Sequence, residues 1–155
     1  MVGVLFPLAY QINPVSSLAM KVIYPLVVAI GFPVDTRDFL CAVVSDAAAL
    51  HVTAFTVQWF FDRILRHREN YCSPASMLNL QKGLKILRER LLVGDEESKT
   101  SDSTISVVLK LASAAHFHGD DSTSQQHREG LRKMVRLRGG LHVFQGNKLF
   151  LEMLR

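Results

Sequence analysis

Along most of the chain, apolar residues return every three or four positions and almost nowhere alternate with polar ones. That period belongs to helices and leaves little room for strands, so the pattern predicts an all-α protein. Ser16 or Ser17 opens a helix over 16–30, bent at Pro25 and ended by Gly31, Phe32 and Pro33. Asp35 or Thr36 opens a short helix that runs to Val43 or Val44. After a break at Ser45, Asp46 is placed to cap a long helix over 47–67. Phe55, Trp59, Phe60, Phe61, Ile64 and Leu65 surround most of that helix, which makes it the central buried one. Arg63, Arg66 and Arg68 suit the negative end of its dipole.

Ser73-Pro74 is a cap followed by proline at the first helical position. Behind it, Met77, Leu80, Leu84, Leu87 and Leu91 form one apolar seam, and Gly94 ends the run. The acidic, serine-rich stretch 95–102 reads as a mobile loop. Ser101, Asp102 or Ser103 starts a helix with Ile105, Val108, Ala112 and Ala115 on one face, ending near Gly119. The last clear helix begins around 122–124, with Leu131, Met134 and Val135 inward and Arg128, Arg132 and Arg136 outward. Gly139, the first of the pair Gly139-Gly140, is the left-handed residue after its end. Residues 147–155 read as one more helix, cut off. The sum is an antiparallel array of about six to seven helices forming an incomplete domain. Residues 1–34 are an apolar segment packing on a helical body over 35–155.

At about 100° per residue, Arg138 shares a face with Leu131 and Met134. An inward guanidinium must find a carboxylate or backbone carbonyls, so Arg138 is predicted to be a structural tether. Asp46, Gly139 and Gly140 are structural on the same grounds, as cap and helix stop.

With 155 residues, 48% hydrophobic and 21% charged, the chain has the size and composition of one folded domain. Its net charge of +4 gathers at Arg63, Arg66, His67 and Arg68, and again at Arg128, Arg132, Lys133, Arg136 and Arg138. Neither cluster is interleaved with the aromatics that base stacking needs. The two cysteines, Cys41 and Cys72, are too few for a disulfide framework or a zinc cluster. Residues 15–32 are apolar enough to raise a membrane anchor as an alternative, but Lys21 and Pro25 interrupt them. A buried, proline-bent helix is the favoured reading.

Candidate chemistry is sparse. His116, His118 and Asp120 spell H-x-H-x-D, which resembles the metal-binding start of the metallo-β-lactamase fold and offers a metal-dependent hydrolase as a further alternative. In that fold the motif follows a strand, and here it follows a helix whose geometry points His116 and His118 nearly opposite ways. No phosphate-cradling glycine loop or nucleophile elbow occurs. The single Arg-Gly-Gly falls far short of an RNA-binding repeat tract.

Together these blocks resemble the fungal-specific transcription-factor-like family, the helical regulatory region often found behind a Zn2Cys6 DNA-binding cluster. The elements that carry the resemblance are Ser45-Asp46-Ala47, the leucine-rich helix, the acidic loop, 101–105, Gly119-Asp120, His127, Gly130-Leu131, Met134-Val135 and Leu137-Arg138-Gly139-Gly140-Leu141. It covers roughly 35–155, and 5–33 more weakly. It implies a non-enzymatic regulatory or interaction domain in the nucleus, with cytoplasm or membrane as alternatives, and no cofactor, metal or catalytic residue. The chain lacks the closely spaced cysteines of such a cluster, so specific nucleic-acid binding by that route is not expected. The family's helical region continues beyond the Arg-Gly-Gly block, so this chain reads as its front part. Unpaired helix faces then predict a protein partner or self-association.

Overall fold

The computed structural model describes residues 43–68 and 72–144. Helix makes up 82% of what it describes, with no strand, so the fold is all-α. The expected helices over 16–30 and 147–155, most of the one over 35–44, the 34/35 boundary and the membrane alternative at 15–32 lie outside the described residues. No helix among the described residues is long and apolar enough to cross a membrane. The chain divides into two compact units, Met1–Ile86 and Leu87–Arg155.

In the first unit, α1 spans Ala47–Phe60. Asp46 is extended and accepts a hydrogen bond from the Ala49 amide at 2.9 Å, satisfying one of the free donors of the first turn. Residues 48–55 and 57–59 are all buried, as befits a helix apolar around its circumference. The helix does not run on regularly to residue 67, however. Phe61–Leu65 is a π-helical turn, with the Arg66 amide reaching back to the Phe61 carbonyl at 3.2 Å. Each π turn takes in an extra residue and so shifts which side chains follow on which face. Here the turn holds Asp62 fully buried, where it accepts from the Gln58 amide at 2.9 Å and faces the Arg66 guanidinium at 3.5 Å. His67, with φ of 50°, closes the segment as the Arg68 amide bonds the Asp62 carbonyl.

Helix α2 spans Pro74–Val93. Ser73 caps it through its hydroxyl, which accepts from the Ser76 amide at 3.1 Å. The face that α2 buries takes in only part of the leucine seam: Leu87 is buried and Leu80 and Leu91 are half-buried. Met77 and Leu84 are 41% and 37% exposed, while Ser76, Asn79 and Gly83 are buried. At Gly83 the helix comes too close to α1 for a side chain: a Cβ there would stand 2.7 Å from Val52 Cγ2 and 3.3 Å from the Val52 amide nitrogen.

In the second unit, residues 95–102 are ordered rather than a loose loop. Asp95 caps a one-turn helix, α3, over Glu96–Lys99 by accepting from the Ser98 amide at 2.7 Å. Ser101 then caps α4, Asp102–Phe117. Thr104 ties the two together: its hydroxyl donates to the Ser98 carbonyl at 2.8 Å and accepts from the Arg90 guanidinium at 3.1 Å. Ile105, Val108, Ala112 and Ala115 are buried.

Gly119 and Asp120 turn the chain into α5, Asp121–Leu137. The Gly119 and Asp120 amides close on the carbonyls of His116 and Ala115 at 2.9 and 3.0 Å. Helices α4 and α5 pack antiparallel. The Ser124 hydroxyl near the start of α5 bonds the Ala112 carbonyl late in α4, and Arg138 after its end reaches Asp102 at the start of α4. Leu131 and Val135 are buried and Met134 is half-buried. The helix ends in a double hydrogen-bonded stop, Gly139 amide to Arg136 carbonyl and Gly140 amide to Val135 carbonyl. Both glycines have positive φ, 112° and 97°, which side chains rarely adopt. A 3-10 turn, Leu141–Phe144, follows.

Candidate functional site

Among the described residues, polar groups collect in three places, and each offers different chemistry. The first is the interior of the 1–86 unit. His51 lies among the most buried side chains and its Nδ1 sits 2.9 Å from Asn79 Oδ1, one helix to the next. Asp62 is gripped by Gln58 and Arg66 in the π turn. Arg63 lies over the Trp59 ring at 5.3 Å and Arg66 over the Phe61 ring at 4.7 Å, so these cations pack on aromatic faces as well as facing solvent. Ser76 Oγ and Gln58 Oε1 are buried without a hydrogen-bond partner among the described residues. The sequence pattern does not predict this arrangement. An isolated His51 within an apolar run, and Asp62 amid aromatics, are the only sequence signals that could have marked it. The arrangement suits registering two helices, since a histidine and an amide that fit each other fit only one alignment.

The second place is the turn between α4 and α5. His116 lies in the last turn of α4 and His118 at its C-cap, both exposed. Asp120 is the N-cap of α5, accepting from the Thr123 amide at 3.0 Å. Hydrogen bonding from the Thr123 side chain, and then its amide, holds the Asp120 carboxyl below its ordinary value. His116 Nδ1 approaches Asp121 Oδ1 at 3.4 Å. Among the described residues no three His, Cys, Asp or Glu side chains are grouped to hold a metal ion. Asp120 serves the corner as the cap of α5, and His116 faces Asp121 across it. Half-buried His127 lies farther along α5, and burial holds its imidazole below the ordinary 6.5, against an opposing pull from Asp120. Cys72 is half-buried just before α2, and Cys41 lies outside the described residues.

The third place is the end of α5. The Arg138 guanidinium bonds the Asp102 carboxylate and the Thr100 carbonyl, the latter at 3.1 Å, and lies over the Phe144 ring at 5.0 Å. It is 29% exposed, so it is a tether at the edge of the interior rather than a fully inward one. One guanidinium nitrogen, Nη1, makes both hydrogen bonds, while the planar group lies over the ring. Gly139 and Gly140 follow as the helix stop. The outer face of α5 carries Arg128, Arg132, Lys133 and Arg136, all exposed.

No family model, no curated protein and no solved structure matches the chain.

Proposed function

We propose that this chain is a non-enzymatic regulatory or interaction module of the fungal-specific transcription-factor type, working in the nucleus without a DNA-binding cluster of its own. The observation that carries the reading is how the signature residues are employed. Asp46 caps α1, Arg138 joins α5 to the start of α4, and Gly139 and Gly140 stop α5. These residues build a frame. The side chains left to meet a partner are outward ones, including Met77, Leu78 and Leu84 on α2 and the cationic face of α5. Partners are proteins under this reading, and neither cofactor nor metal takes part.

The test is to fuse the full chain to an unrelated DNA-binding domain and follow a reporter gene in a fungal cell, with imaging of where the fusion resides. A folded fusion changes reporter output from within the nucleus. A variant carrying Arg138→Ala and Gly139→Val, which loosens the frame, changes it less. A well-expressed, folded fusion that leaves the reporter unaltered, or that stays on membranes, contradicts the proposal.

A further inference from the structure

We infer that the 87–155 unit pairs with a second copy of this chain, the acidic corner around Glu96 and Glu97 of each copy seating on the Arg128, Arg132, Lys133 and Arg136 face of the other. The pairing goes beyond the regulatory reading and does not rest on it.

The cationic face is built on a rigid support. Helix α5 is fixed at both ends, by the Asp120 cap and by the Arg138 and double-glycine stop. Along it Arg128, Arg132 and Arg136 follow at four-residue spacing, about 6 Å per step on an α-helix, with Lys133 beside them. None of the four pairs with a carboxylate among the described residues. Glu129, which stands between them, is engaged by the Gln125 amide at 3.0 Å. Like charges one turn apart repel, so a row of this kind is relieved by carboxylates brought from outside. Arginine forks suit carboxylates in particular. Arg138, just after the helix, already takes a carboxylate, that of Asp102.

The complementary surface lies in the same unit. Asp95, Glu96 and Glu97 are exposed where α2 gives way to α3, and only Lys99 offsets them, at 2.9 Å from Glu96. Directly before them stand Leu92 and Val93, 74% and 86% exposed. Beside the cationic face stand Leu137, Leu141 and Val143, also well exposed. Each patch therefore combines an excess of one sign of charge, basic beside Glu129 and acidic beside Lys99, with unburied aliphatic groups. Nucleic-acid phosphates would answer the arginines but leave the aliphatic groups idle.

Geometry also favours a closed pair. The Arg138 bonds to Thr100 and Asp102 bring the basic end of α5 beside the α3–α4 turn, so acid and base lie at one end of the unit. A two-fold axis at that end joins corner to face twice over, as an isologous interface requires.

The experiment is sedimentation equilibrium of the full chain at low and high salt, for wild type and two charge-reversed variants. One variant carries Glu96→Lys and Glu97→Lys, the other Arg132→Glu and Arg136→Glu. All four positions are exposed, and helical circular dichroism establishes that each variant is folded. Wild type is a dimer at low salt that dissociates as salt rises. Each variant alone associates at least about tenfold more weakly, as expected when opposed charges become like charges. An equimolar mixture of the two variants restores the dimer, because each then offers the sign the other needs. A monomeric wild type, a dimer that ignores both reversals, or a mixture that stays monomeric overturns the inference. So does a monomer whose cationic face is occupied only by added duplex nucleic acid or by an unrelated acidic peptide.

Discussion

The two units solve the same problem, holding helices in one arrangement, by opposite use of polar residues. Unit 1–86 hides them: His51, Gln58, Asp62, Ser76 and Asn79 are buried within a helix pair whose outer side exposes Met77 and Leu84. Unit 87–155 buries Thr104, Lys110 and Ser124 but relies more on helix ends, where Asp95, Ser101, Asp120 and Arg138 satisfy backbone groups or close turns. A buried polar pair specifies one register because any slip leaves it unsatisfied. A cap specifies only where a helix begins or stops, and leaves alignment to the apolar face between and, in this unit, to the Ser124 and Arg138 bonds from α5 to α4. The first unit should therefore be sensitive to changes across its helix interface, and the second to changes at its ends.

The largest effect falls at Gly83. Leucine there meets Val52 at a distance that already excludes a methyl group, so Gly83→Leu destabilises the chain by about 3 kcal/mol, the upper part of the overpacking range. Chemical denaturation measures it, and a change near zero would break the contrast. At the end of α5, Gly139→Ala forces an L residue into positive φ and brings its Cβ within 3.2 Å of Val143, at about 1–2 kcal/mol. Removing the α4 cap with Ser101→Ala comes next, about 1 kcal/mol by thermal melting. The smallest effect is a pH slope. Because His127 has a lowered pKa in the folded chain, the unfolded state takes up its proton first as pH falls. His127 stability is complete above the ordinary 6.5 and is lost as pH drops toward the folded value. His127→Gln flattens the melting temperature across that window, and an unchanged slope would assign it elsewhere.

How much the sequence told follows from the same contrast. Caps are local, so Asp46, Ser73, Ser101 and the Gly139-Gly140 stop could be read from neighbours along the chain, and Arg138 from its angle on the helix. The π turn at Phe61–Leu65 could not, because the i,i+4 pairs of Asp62 with Gln58 and Arg66 suit an ordinary α-helix equally well and leave no mark of it. The buried face of α2 could not either. Of the leucine seam Leu87 is buried while Met77 and Leu84 are not, since Val52 on another helix approaches Gly83 closely and His51 pairs with Asn79. Residues 95–102 looked loose from their composition. Their order comes from Thr104 and Arg90, one of them well before the stretch.

The claim that a polar cross-link registers α1 and α2 has a direct test in a double-mutant cycle on His51→Leu and Asn79→Leu, read by denaturant unfolding. The account predicts a coupling of about 1–3 kcal/mol, with the double variant less damaged than the sum of the singles. Single effects that add to within about 0.5 kcal/mol would contradict it.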